Sequence, residues 1–428
     1  MGNDTEALTV AALPGFVEEK AVGPPPHAQE VIIADPDLME FGLLLITASL
    51  VAMISRRIGL PYTAGLVLAG IALALLPFGL NLPLSRELIF DVFLPPLIFE
   101  AALQMDWPRF RAQMPLTVTL AFLGVAGSAA IVTSGLHWLL GWSWLGAAFF
   151  GVLIAATDPV SVIAAFKEMK AEPRLAMVVE AESLLNDGVA AVGFAILTAI
   201  AGGENFQPAA AITSLAWSVA GGVGIGAVIS LVMLRIAGRT SDHLVEITLT
   251  TVVAWGSFLL AERLGASGVF AALATGVIVG NFGWRRAISE EGRPHILGFW
   301  EYAAFLANSM LFLMIGSHEA HQPLALVPTA LGVAIALALA GRAVAVYSIA
   351  LPFRRSPLRL SPAYQHVLVW AGLRGAVGLA LALAVPSTIP EQREIIVLTF
   401  GVVAFSILVQ GLTMPQLLRL WKLTDATH

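Results

Sequence analysis

Glu180-Ala181-Glu182-Ser183-Leu184-Leu185-Asn186-Asp187-Gly188 lies inside an otherwise apolar run from Arg174 to Ala201. Such a run is long enough to cross a bilayer, which takes about 20 predominantly apolar residues. At a helical rise of about 1.5 Å per residue, Asp187 falls about 20 Å into it, near mid-membrane. An ionisable group at that depth is costly and points to function. Ser183 and Asp187 are four residues apart, as are Glu182 and Asn186, so each pair shares a helix face. A hydroxyl, a carboxamide and a carboxylate are hard oxygen ligands, suited to light cations rather than soft metals.

The rest of the chain is consistent with a membrane setting. Of 428 residues, 58% are hydrophobic and 12% charged, against about 25% charged in an ordinary soluble domain. The absence of Cys excludes disulfides, thiol nucleophiles and cysteine metal sites. Thirteen apolar segments are expected to span the bilayer, giving an all-α integral membrane fold. They run approximately over 38–55, 60–76, 87–104, 115–139, 144–169, 174–201, 209–234, 243–261, 266–280, 295–316, 324–352, 364–385 and 395–418.

Lys and Arg test that count, because short cytoplasmic loops are enriched in them. Alternate loops place 17 of the 23 basic residues on one side and 4 on the other, with Arg342 and Arg374 inside spans. This favours an odd number of spans, an outer N-terminus and a cytoplasmic C-terminus in a cell or inner membrane. Residues 1–37 read as a mobile outer tail without the basic start of a signal peptide, 38–418 as the transmembrane domain, and 419–428 as a short cytoplasmic tail.

More polar residues reach the same depth. Span 5 contains Thr157-Asp158-Pro159, and a mid-helix proline removes a hydrogen bond and clashes with the carbonyl four residues back, freeing carbonyls near Thr157. Span 12 contains Gly372-Leu373-Arg374-Gly375. Spans 5 and 12 are therefore expected to be broken helices. They lie an odd number of spans apart, so spans 4–6 and 11–13 run in opposite senses, as an inverted repeat around a substrate site requires. Glu182 is expected in a structural ion pair, with Arg342 and Arg374 at similar depth as partners. Glu100 either lines a cavity or is packed in its protonated form.

Other features carry less. His318 and His321 fall in an expected outer loop, and His243 reads as an interfacial histidine at the start of span 8. Gly265-Ala266-Ser267-Gly268 resembles the serine motif of rhomboid proteases, with His137 as a base on the same side, an alternative that leaves the buried acids unexplained. A cation channel using the same polar layer is a third reading.

Thr157-Asp158-Pro159, Glu182-Ser183-Leu184-Leu185-Asn186-Asp187-Gly188 and Gly372-Leu373-Arg374-Gly375-Ala376-Val377 resemble the monovalent cation/proton antiporters, the bacterial NhaP type together with the sodium/hydrogen exchangers. Leu60-Pro61-Tyr62-Thr63, Pro95-Pro96-Leu97-Ile98-Phe99-Glu100 and Phe305-Leu306-Ala307-Asn308-Ser309 extend the likeness from span 2 to span 12. The resemblance implies a 13-helix fold whose core, about 115–201 and 324–418, moves against a dimerising domain. It implies that Asp187 alternately holds a monovalent cation, sodium first among them, and a proton. Ser183, Thr157, Asp158 and Asn186 complete the site, and Glu100 joins from the other domain. Likeness also favours Arg342 as the partner of Glu182. The expected partners are the cation, the proton, the lipid bilayer and a second copy of the chain, with no nucleic acid and no cofactor. A preference for potassium or lithium remains open. The short C-terminus puts in doubt the regulation seen in longer relatives.

Overall fold

The computed structural model describes residues 36–58, 60–76, 84–158, 162, 163, 166, 169–203, 208–284, 287–324 and 327–423. The expected outer tail therefore lies outside the described residues, apart from residues 36 and 37, which are helical. Lys20, Pro159, Lys167, Arg285, Arg286 and the last five residues lie outside them as well. The chain divides into two units, Met1–Gly42 and Leu43–His428. Apart from the start of the first helix, every residue discussed from here on belongs to the second.

Among the described residues the regular secondary structure is helical and no β-strand element is present. The helices are α1 (Pro36–Ile58), α2 (Tyr62–Ala74), α3 (Leu94–Gln104), α4 (Trp107–Thr119), α5 (Val125–Leu140), α6 (Trp144–Ala155), α7 (Pro173–Ala201), α8 (Pro208–Ala237), α9 (His243–Arg263) and α10 (Gly268–Ile278). After them come α11 (Gly292–Glu319), α12 (Pro328–Ala350), α13 (Pro362–Trp370), α14 (Ala376–Leu383), α15 (Gln392–Phe405) and α16 (Leu412–Leu420). Among the described residues, seven helical stretches are long and apolar enough to cross a membrane, α7, α9 and α11 among them, and shorter apolar helices such as α2 and α6 lie between.

Several boundaries differ from those read off the apolar runs. The fourth segment was expected to start at Pro115, yet its helix starts at Trp107, where the Asp106 carboxylate accepts the Arg109 amide hydrogen. That cap satisfies one of the donors a helix start leaves over. Segment five, expected to run to Met169, stops being α6 at Ala155. Segment ten was expected to end at Gly316, but α11 continues through His318 and Glu319, so neither is a loop residue.

Among the described residues four π-helical turns, Leu88–Phe93, Leu120–Gly124, Val279–Gly283 and Ser406–Gly411, sit within or beside the long helices. Such widened turns gather at functional positions. Elsewhere packing is tight. A Cβ on Gly70 would meet the Leu313 carbonyl and one on Gly316 the Val67 carbonyl, so α2 and α11 touch backbone to backbone, the close approach that small residues permit.

Candidate functional site

Two non-helical segments meet in the interior. One is residues 156–158, directly after α6; the other is residues 371–375, between α13 and α14. Their backbones are joined by the Asp158 amide, which donates to the Leu373 carbonyl at 2.8 Å. Each leaves helix-end groups that need partners in a dry environment, and nearby side chains supply them. The Thr157 amide donates to Asn186 Oδ1 at 3.0 Å. Arg374 Nη1 donates to the Ala156 carbonyl at 3.2 Å, placing a cation at the C-terminal end of α6. Arg374 N donates to Ser406 Oγ at 3.0 Å, and Gln410 Nε2 to the Trp370 carbonyl at 3.1 Å. Ser406 and Gln410 both belong to the π-helical turn between α15 and α16. Gly375 has no room for a side chain, since a Cβ there would strike that of Asp158.

Buried polar groups of α7 continue the network. Thr157 Oγ1 lies 3.0 Å from Ser183 Oγ. Asn186 Nδ2 donates to Thr157 Oγ1 at 2.5 Å and to Glu182 Oε1 at 3.1 Å, so both ends of this amide are engaged within the protein. Glu182, fully buried, holds Arg342 through two bonds, Nη1 to Oε1 at 2.6 Å and Nη2 to Oε2 at 2.9 Å. Arg342 Nε also donates to the Leu368 carbonyl. Of the two arginines expected near Glu182, the structure puts Arg342 on the carboxylate and turns Arg374 to the carbonyls of Ala156 and Ala338.

Asp187 is buried at 7% exposure and lines a cavity of about 470 Å³. Thr157, Asp158, Asp187 and Glu100 share the cavity wall, whereas Ser183, Asn186, Glu182, Arg342 and Arg374 stand behind it. Glu100 accepts a hydrogen bond from Gln104. Further polar lining that the sequence reading did not assign comes from Tyr62, Glu180, Glu301 and Asn308. Tyr62 and Asn308 stand in matched motifs, but nothing in their spacing says that α2 and α11 face Asp187. Ser406 and Gln410 were also missed; polar residues four apart in an apolar run were the available signal.

A second crevice, about 570 Å³, is lined by Ala191, Ala195 and Thr198. These extend the face of α7 that Glu180, Leu184 and Asp187 present to the first cavity. Ser267, which borders this crevice, caps α10 by accepting the Phe270 amide hydrogen. His137, its expected base, is bonded through Nδ1 to the Trp142 carbonyl and stacks on Trp144, and among the described residues no hydrogen bond joins it to Ser267. His318 stacks on Phe400, and His321 Nδ1 pairs with the Ser317 carbonyl. Among the described residues no group of three potential metal-ligating acids or histidines occurs. His243 stacks against His295.

Residues 44–420 match the family described as sodium/hydrogen exchanger, transmembrane. Over 383 residues the chain is 38% identical to the Na(+)/H(+) antiporter ApNhaP of Aphanothece halophytica, covering 89% of this chain and 73% of the relative. It is 37% identical over 349 residues to the Na(+)/H(+) antiporter NhaP of Pseudomonas aeruginosa, covering 78% and 81%. The sodium proton antiporter MjNhaP1 from Methanocaldococcus jannaschii at pH 8 has the same fold, with TM-score 0.71, 21% identity and coverage of 89% and 97%.

Proposed function

We propose that this chain, which belongs to the sodium/hydrogen exchanger family of membrane transporters, exchanges sodium for protons at Asp187 by alternating access. The observation that carries the reading is a buried carboxylate on a cavity wall, beside two non-helical segments several of whose backbone groups are bonded within the protein. Such segments at membrane depth are how transporters build ion sites. Burial disfavours a bare charge, whereas a cation or a proton neutralises it. Only one of the two fits at a time. If the empty charged form is barred from crossing, each crossing carries a cation or a proton, and exchange results.

In this reading Asp187 is the exchanging acid, and Thr157 and Asp158 offer further oxygens, directly or through water. Ser183 and Asn186 hold Thr157 in place, and Glu100 guides cations along the facing wall. Glu182 with Arg342 fixes α7 to α12, and Arg374 ties α6 to the span-12 segment. The second crevice along the same face of α7 supports access to Asp187 from either end of that helix. Thirteen spans with an inverted repeat, a mobile core (about 115–201 and 324–418), a homodimer, a cell-membrane setting and a cytoplasmic C-terminus belong to the same proposal.

Because the neighbour of Asp187 on α7 is Asn186 and not a second acid, exchange is one for one. Proteoliposomes holding only this protein, loaded with a pH dye, test this: sodium gradients drive proton flux that saturates with sodium, and a potential-sensitive dye stays silent. A membrane potential that scales with turnover rejects the stoichiometry. Flux with potassium or lithium and none with sodium reassigns the cation.

A further inference from the structure

We propose that Asn308 is a cation-selecting ligand of the Asp187 cavity, its amide carbonyl oxygen replacing one water of an arriving sodium ion; this rests on the exchange reading above. Asn308 belongs to α11, whose residues Glu301, Ala304, Phe305, Asn308 and Leu311 line the cavity at helical spacing. From the start of α11 it lies about 24 Å along the axis, and Asp187 about 21 Å from the start of α7. In the proposed topology both helices begin on the same side, so the two side chains reach the same depth from different walls.

Among the described residues Asn308 Oδ1 is buried and meets no hydrogen-bond donor. A carbonyl oxygen left that way costs free energy unless a donor or a cation takes it. Two hydroxyls and one amide nitrogen of the cavity wall are already engaged. Tyr62 Oη lies 2.7 Å from Ser309 Oγ, the Gln104 amide donates to Glu100, and Thr157 Oγ1 meets both Ser183 and Asn186. The position of Asn308 is also firm. Its neighbour Ser309 is bonded to Tyr62 and to the Phe305 carbonyl, and the Tyr62 ring stacks on Phe305 at 5.4 Å. An uncharged oxygen carried on a firmly held helix adds little general attraction for cations, so it acts through how well an ion fits once part of its water is lost, as carbonyl ligands do in selective pores.

The test compares Asn308→Leu, close in size but without the oxygen, with the wild type and Asp187→Asn in proteoliposomes, varying Na⁺, Li⁺ and K⁺. Asn308→Leu raises the half-saturating sodium concentration roughly 5- to 10-fold, the scale of one lost polar contact, and narrows the preference for sodium over potassium by a similar factor. Sodium-dependent thermal protection in detergent, read without any flux, weakens in parallel. Asn308→Asp lowers half-saturation for all three ions. If Asn308→Leu does not purify as a single species, Asn308→Ala, which also lacks the oxygen, takes its place with the same expected results. A wild type that exchanges none of the three cations for protons, or an Asp187→Asn that still exchanges one, sinks the exchange reading and this inference together; a wild type that exchanges potassium or lithium but not sodium overturns the sodium selection assigned to Asn308 alone. A competent wild type, a dead Asp187→Asn and an Asn308→Leu with unchanged half-saturation and selectivity overturn the Asn308 assignment alone.

Discussion

Asp187→Asn reduces sodium-driven proton flux to the level of protein-free liposomes, while the purified protein keeps its melting temperature and elution volume. The substitution preserves shape and removes the one property both transported ions need, a carboxylate that can be neutralised by either. Asp187 faces the cavity, so the change strands no buried partner and the fold persists. The wild type carries a second signature of one shared site. Lowering pH raises the sodium concentration needed for half-maximal flux and leaves the maximal rate in place, because protons and sodium compete. Undiminished flux in Asp187→Asn refutes the assignment, and protons that lower the maximal rate without moving half-saturation point to a separate proton site.

Glu182→Ala acts on folding rather than on ion binding. Removing one partner of a buried ion pair costs about 3 to 5 kcal/mol, because the remaining charge is stranded. Here that charge is Arg342, held by two bonds to Glu182. Asn186 also loses an acceptor and, with it, part of its grip on Thr157. The expected result is a sharp drop in yield and in melting temperature measured in detergent. Glu182→Leu combined with Arg342→Met recovers much of the loss, since apolar residues of similar volume often replace a buried pair with little penalty. A single variant as stable as the wild type contradicts the structural role of Glu182.

Much of this was legible from one dimension. Depth within an apolar run follows from residue number alone, so Asp187, Asp158 and Thr157 could be placed near mid-membrane before any fold was known. Facing is not one-dimensional. Arg342 and Arg374 lie at similar depth, so depth does not choose between them; family likeness points to Arg342, and the placement of α12 against α7 brings it to Glu182. Asn186 reads as an ion ligand by chemistry, yet its amide is consumed by Thr157 and Glu182. The widened turn at Ser406–Gly411 leaves no mark in hydropathy, although it turns Ser406 and Gln410 toward the backbone of the interrupted span. Helix ends were misjudged where capping outweighs hydropathy, as at Asp106.

The tie between the two non-helical segments has a consequence for how the centre of the protein breathes. Ordinarily, peptide units outside helices swap their hydrogens with solvent first, because they open without disturbing anything else. Here the amides of Thr157, Asp158 and Arg374 are each clasped by a different part of the chain. They can be released only when α6, α7 and the stretches around Leu373 and Ser406 loosen in concert. In deuterated buffer these irregular stretches will therefore label among the slowest in the molecule, later than the ends of the long regular helices beside them.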